Sequence, residues 1–259
     1  LVNKAFTPRL IAAMEPSIQQ LADNLLDNIP TDAPFDLIAD YALPIPVIVI
    51  CDLLGVPAAD RDEVTEWSQA IISPRGLTRK QRRNKVSAFV AYLQAMFANR
   101  RAAPQDDLVT ALVQAEEAGE RLSEEELSSM VALLLVTGHE TTVNLIGNGA
   151  LTLLRHPEAL QRLMAGNGAA GAALWKTAVN ELLRYDGPVE NSTTRWVRED
   201  VDFHGHALKR GEIVRVVLSS ANRDGCAFSN ADTFDIERRE NKHLAFGHGK
   251  HYCLGAPLA

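Results

Sequence analysis

The stretch from Ser123 to about Leu154 constrains the fold of this chain more than any other. Ser123-Glu-Glu-Glu126 matches a capping box, a serine at the cap and a glutamate three residues on, and the acidic first turn suits the helix dipole. From Met130 to Val136 every position is apolar, so this helix is expected to be buried on all its faces. A helix of about thirty residues is about 45 Å long. Covering it takes other helices, and the expected fold class is mainly α. Six small or polar residues, Thr137-Gly-His-Glu-Thr-Thr142, interrupt the apolar pattern. Each desolvated polar group there costs about 1–3 kcal/mol unless paired. Threonine hydroxyls bond back to the preceding turn and bend a helix, and Gly138 costs about 1 kcal/mol against alanine. Two readings stand. One is a kinked core helix that satisfies its own groups. The other is a helix opened to a ligand and water, with the acid–alcohol pair Glu140–Thr141 passing protons.

Other helices are expected on both sides. Thr7-Pro8 followed by Leu10, Ile11, Met14, Ile18, Leu21, Leu25 and Leu26 reads as an amphipathic helix with proline near its first turn. A second runs from Phe35 to Leu54, broken or kinked at Pro44 and Pro46 and closed by Gly55-Val-Pro57. Asp60 to about Ile72 is a shorter helix, Ser73 to Gly76 a loop, and Thr78 to Arg101 a long helix with a basic face. Asp106 is expected to cap a short helix that ends near Gly119. His156-Pro157 starts another, residues 166–171 read as a flexible break, and Leu174 to Tyr185 is helical again. The period then changes. Thr193 to Val197, Val201 to Phe203 and Ile213 to Leu218 read as short strands, with turns at Gly205 and Gly211. Residues 222–244 form a charged loop. No repeat or linker is visible, so residues 1–259 are expected to form a single domain, mainly α with a small β-sheet portion.

The net charge of −7 gives the chain as a whole no nucleic-acid character. No apolar run reaches the roughly 18–20 residues of a membrane span. Three cysteines are too few and too odd for a disulfide framework, which suits a reducing compartment and a cytoplasmic protein. Cys51 lies in the apolar run Val47-Ile-Val-Ile-Cys-Asp-Leu-Leu and reads as a core thiol, while Cys226 follows the turn signal Arg223-Asp-Gly.

Cys253 has a different setting. In Phe246-Gly-His-Gly-Lys-His-Tyr-Cys-Leu-Gly255 it is surrounded by glycines and histidines. One thiolate suffices as the axial ligand of a haem iron, where it pushes electron density toward O–O cleavage. With His248, His251 and His243 it also forms an irregularly spaced zinc set, and an ordinary thiol is a third reading. Glu181 and Arg184 meet on one helix face at i and i+3, a common pair worth under about 1 kcal/mol when exposed. Val179, Leu182, Leu183 and Tyr185 around it point to a partly buried helix.

Taken together and in this order, three motifs resemble those of the cytochrome P-450 haem-thiolate monooxygenases. Phe246-x-x-Gly249-x-x-x-Cys253-x-Gly255 is similar to the family's ligand loop, Glu181-x-x-Arg184 to its helix pair, and Gly138-x-Glu140-Thr141-Thr142 to its oxygen-binding groove. Much of the chain looks most like soluble bacterial members acting on macrolides and other polyketides.

The resemblance implies the cytochrome P-450 fold, haem b held by Cys253, and insertion of one oxygen atom from O2 into a hydrophobic small molecule, by hydroxylation or epoxidation. It implies that Glu140 and Thr141 supply protons and that Glu181, Arg184 and Arg238 form a structural network. Phe246, Gly249, Gly255 and Gly138 would contact the cofactor, while Arg195 and His251 would hold its propionates. Thr137, Val189, Asn191, Ser192 and Thr193 would line the substrate pocket, together with the segment from Ile71 to Leu77. The implied electron donors are a ferredoxin and a ferredoxin reductase, with Lys242 and Lys250 offering charge for docking. Both ends of the family pattern lack a counterpart here, so the chain is expected to be an internal piece of a longer enzyme. The rival reading is a catalytically incompetent fragment with weak or no haem binding.

Overall fold

The structure, a computed structural model, describes residues 8–72, 76–117 and 120–259. The expectations for Thr7 and for the loop at Ser73–Arg75 lie outside the described residues. The chain divides into two compact units, one of residues 1–143 with 254–259 and one of residues 144–253.

In the first unit α1 (Pro8–Asp27) is followed by a π-helical turn at Ile38–Ala42 and then α2 (Pro44–Leu54). Pro44 takes the first position of α2, where no backbone N–H is needed. Gly55 closes α2 in the left-handed region at φ 77°. Then come α3 (Arg61–Ile72), α4 (Arg79–Ala102), capped by Thr78, and α5 (Leu108–Gln114). Their apolar faces close on a core that includes Cys51, Leu54, Phe89, Leu93, Phe97 and Leu112. Cys51 is the expected core thiol, with no exposed surface; burial pushes its pKa up to about 11.

Two expectations are corrected here. The cap of α5 is Asp107, not Asp106: its Oδ1 accepts the Thr110 amide at 2.7 Å. Its Oδ2 accepts from Nε of the buried Arg100 at 2.5 Å, so one carboxylate serves both bonds. α5 also stops at Gln114, and β1 (Glu116–Glu117) then pairs antiparallel with β2 (Glu120–Arg121).

The long helix is α6 (Glu124–Arg155). Its capping box forms as read: Ser123 Oγ accepts the Glu126 amide at 3.2 Å, and the Glu126 carboxylate accepts the Ser123 amide at 2.9 Å. Burial on every face does not hold. Leu127, Val131, Leu135, His139 and Val143 are buried and lie four apart on one ridge, whereas Leu133 is 55% exposed. An apolar composition permits burial all round, but only packing neighbours supply it. By length and mean hydropathy (1.3) α6 is apolar enough to cross a membrane. This corrects the expectation that no stretch is apolar enough: Thr137–Thr142 interrupt the run without cancelling the apolar average of the helix. The core helix of a soluble protein meets the same criterion.

In the second unit α7 (Pro157–Ala165) and α8 (Gly168–Asp186) meet almost at once. The expected break at 166–171 shrinks to Gly166 and Asn167. A Cβ on Gly171 would lie 2.6 Å from the Gly166 backbone, so glycine there permits a tight turn between helices and Ala169–Ala173 continue α8. β3 (Arg195–Trp196) pairs with β6 (Ile213–Val214), and β4 (Val201–Phe203) with β5 (His206–Leu208), all antiparallel. Leu218, read as the end of a strand, starts the short helix α9 (Leu218–Ala221). Gly205 and Gly211 turn at φ 82° and 89°. A small core of Leu153, Leu163, Ala178, Leu182, Phe234 and Ile236 holds this unit.

Candidate active site

At the centre of the second unit lies a buried carboxylate. Glu181 has no exposed surface. Its Oε1 accepts from Arg184 Nη2 at 2.7 Å and from the Asp235 amide at 2.9 Å. Its Oε2 accepts from Arg184 Nε at 2.8 Å, Arg238 Nε at 3.1 Å and Asn241 Nδ2 at 3.1 Å. Burial works to raise the Glu181 pKa, but these donors outweigh it and hold the carboxyl below its ordinary value. Arg184 spends its remaining N–H groups on the carbonyls of Asn222, Ala231 and Thr233. Arg238 reaches those of Ser229, Asn230 and Thr233. Two guanidinium groups thus tie the irregular segment 222–238 to α8. This is how so long a loop without regular structure is held in one shape.

The cysteine loop is attached to that network. The Asn222 side chain is buried, and its Oδ1 accepts the Leu244 amide at 2.7 Å. Two residues on, the Phe246 carbonyl accepts the Cys253 amide at 2.9 Å and closes the loop. Gly247 and Gly249 take φ of 74° and 72°, the left-handed region that a side chain would strain. A helical turn at Gly249–His251 returns the chain to Cys253, whose thiol is free and exposed. The Phe246 ring packs at a tilt against those of His243 (centroids 6.0 Å apart) and Tyr252 (6.3 Å). Sequence reading passed over Asn222; an asparagine opening a charged loop carries no local signal of a bond to a residue 22 positions on.

In the first unit, three side chains on α6 bond back to the carbonyl four residues earlier. Thr137 Oγ1 donates to Leu133 O at 2.7 Å and Thr141 Oγ1 to Thr137 O at 2.9 Å. His139 Nδ1 lies 2.7 Å from Leu135 O. The threonine hydroxyls therefore keep only acceptor capacity, while the Glu140 side chain beside Thr141 is exposed. Gly138 faces Ile50: a Cβ there would lie 3.0 Å from Ile50 Cδ1. Ile50 of α2 packs against its bare face, the arrangement that the reading of a closed core helix describes.

The other expected site residues, Gly255 apart, lie in the second unit. Asn191 bridges to Val217, and Ser192 exchanges bonds with Val216. Val189 to Thr193 is thereby held extended beside the segment after β6. Arg195 Nη1 donates to Thr193 Oγ1 at 2.5 Å, drawing a cation onto this segment. His251 is exposed, as is Gly249; Gly255 is half-buried. His243 has its ring tied by Ala245 N–H and Asn180 Oδ1, and burial lowers its pKa.

The Cytochrome P450 family model matches residues 71–259. A cytochrome P450 of Bacillus subtilis is 46% identical across the whole chain, which covers 62% of that relative. The solved bacillaene polyketide synthase P450 PksS of Bacillus subtilis superposes with a TM-score of 0.93 at 41% identity, over 99% of this chain and 65% of that one. P450BioI, solved in complex with an acyl carrier protein ligated to hexadec-9Z-enoic acid, gives 0.89 at 38% identity, over 99% of this chain and 66% of that one. Fold, loop and comparisons define a haem-thiolate protein. The chain belongs to the cytochrome P450 family, and spans about three-fifths of the length of the curated relatives it matches.

Haem b is the cofactor of that family. The donors present here fit it. Among the described residues no three His, Cys, Asp or Glu side chains gather as a metal site. A zinc ion needs such a set, whereas a metal carried in a macrocycle needs only the exposed Cys253 sulfur on its glycine-bounded loop.

Proposed function

We propose that this chain is part of a single P450 domain in a monooxygenase. The enzyme inserts one atom of O2 into a hydrophobic small molecule while the other leaves as water, using two electrons and two protons. The exposed Cys253 thiol, on a loop tied through Phe246 and Asn222 to the Glu181 network, carries this reading. When bound, haem supplies an iron centre for reductive activation of O2, with the thiolate donating electron density. Cys253 is its ligand, Phe246, Gly249 and Gly255 shape the loop around it, and Arg195 and His251 bind its propionates. Glu140 and Thr141 move protons. With its hydrogen donated to Thr137 O, the Thr141 hydroxyl presents an oxygen that accepts. Thr137, Val189, Asn191, Ser192 and Thr193 line the substrate pocket.

The likeness to PksS supports a polyketide or other secondary metabolite as substrate, and the P450BioI complex supports an acyl or polyketide chain tethered to a carrier protein. A ferredoxin and its reductase supply the electrons, and the enzyme works in the cytoplasm. The test is to reconstitute the full chain with haem, reduce it, add carbon monoxide and record the spectrum. A red-shifted Soret band that disappears in Cys253→Ala is expected. If no such band forms, the reading fails for this chain and the incompetent fragment takes its place.

A further inference from the structure

α4 opens with Arg79-Lys-Gln-Arg-Arg-Asn-Lys85, five cations in seven residues, in a chain of net charge −7. The first turn of α4 contains no acid. The helix dipole is positive at this end, so each cation there is unfavourable by about 0.3–1 kcal/mol. The backbone of that end already has partners. Thr78 Oγ1 accepts the Gln81 amide at 3.2 Å, and Gln81 Oε1 accepts the Thr78 amide at 2.9 Å. What the surface offers an anion is therefore its side chains.

Those side chains divide between two faces. Lys85 pairs with Glu66, and Arg82 Nε donates to Ala70 O at 3.3 Å, so both turn toward α3. Arg79, Lys80 and Arg83 are exposed, and among the described residues none of them has a partner. At spacings i, i+1 and i+4 they share an arc of about 100° and cover about 6 Å of helix length. Three like charges so placed repel one another and weaken the helix beneath them. The only electrostatic gain open to them comes from a negative partner.

We propose that Arg79, Lys80 and Arg83 dock an acidic carrier protein that brings the tethered substrate. The inference rests on the proposed function and deepens it. A row of cations one helical turn long matches carboxylates spaced a turn apart on an acidic helix, whereas a lone phosphate engages one or two of them. A solved relative, alike over 99% of this chain, holds an acyl carrier protein.

The test titrates hexadec-9Z-enoyl acyl carrier protein onto the full chain, wild type and Arg79→Glu/Lys80→Glu/Arg83→Glu, at low and high salt. The wild-type chain binds, less tightly as salt rises. The triple variant binds about tenfold more weakly or worse. Its melting temperature rises, because acids replace cations at the positive end of α4. A purely structural role for the three cations predicts the opposite change in melting temperature. Reduction by a ferredoxin is unchanged. Equal carrier affinity in both proteins overturns the proposal. So does a parallel loss of ferredoxin reduction, which makes the patch a general anion surface, or charge-dependent binding of anionic phospholipid vesicles or inorganic phosphate without carrier binding. Carrier binding lost on charge reversal in a chain that gives no carbon monoxide band keeps the docking surface and removes the monooxygenase reading. A normal band with no carrier binding does the reverse.

Discussion

Arg184 donates from Nη1 to the backbone carbonyl of Asn222 at 2.8 Å, and the side chain of that asparagine accepts the Leu244 amide at 2.7 Å. One buried residue thus joins the ion network on α8 to the loop that ends in Cys253. Asn222→Ala leaves the carbonyl for Arg184 in place and orphans the Leu244 amide, at a cost of about 1–3 kcal/mol. The expected result is weaker haem retention and a carbon monoxide band that decays to the form lacking thiolate ligation. Asn222→Asp keeps an acceptor and suffers less in the band. Identical, wild-type spectra for both variants would show that the tether does not position the loop.

Glu181 sets an acid limit on stability. Its folded pKa is below its unfolded value, so its contribution is complete above the ordinary carboxylate range and is lost as pH falls through the folded value. Glu181→Gln leaves Arg184 and Arg238 buried without a counter-charge and costs about 3–5 kcal/mol. At about 2–4 °C per kcal/mol the fall in melting temperature is readily measured. The variant also loses less stability than wild type on acidification below about pH 4.5, the ordinary Glu value. Parallel acid slopes would remove Glu181 as the origin of the limit.

Gly138 and Ile50 fit against each other. Gly138→Ala gains about 1 kcal/mol of helix propensity but drives a Cβ to 3.0 Å from Ile50 Cδ1, and overpacking costs about 1–3 kcal/mol. Chemical denaturation should show a net loss. Ile50→Val alone loses about 0.5–1.5 kcal/mol. The double variant is expected to lose less than the sum by at least about 0.5 kcal/mol. Strict additivity would mean that the contact is not tight.

Thr141→Ala removes the hydroxyl that bonds to Thr137 O. A positioned proton-transfer group contributes about 10²-fold or more. Product formed per O2 consumed should fall and peroxide should rise, while Thr141→Ser restores coupling. Full coupling in the alanine variant would take the proton-delivery role away from this residue.

Among the described residues His139 Nε2 is buried with no hydrogen-bond partner, and its Nδ1 already meets Leu135 O. An apolar side chain of similar size removes an unsatisfied polar atom. His139→Leu is therefore expected to be neutral or to stabilise by about 1 kcal/mol, read by thermal melting. A loss of several kcal/mol would point to a partner for this nitrogen.

What could be read from residues alone was local. The Ser123–Glu126 box, Pro44 at the start of α2, Gly55 at its end and the glycine turns involve atoms within a few residues, so residue types at short spacing were sufficient. The Glu181–Arg184 pair and the glycine-bounded Cys253 loop stood out for the same reason. Other features were decided only by the tertiary structure, because their partners are distant in the chain. Arg238 meets Glu181 across 57 residues, and Asn222 meets Leu244 across 22. Asp107, not Asp106, caps α5 because the buried Arg100 selects it. α6 is apolar enough for burial all round, yet Leu133, Leu151 and Leu154 stay exposed while the ridge from Leu127 to Val143 is covered. Hydrogen bonds inside a turn follow from the order of residues; burial and long-range pairing follow from which surfaces meet.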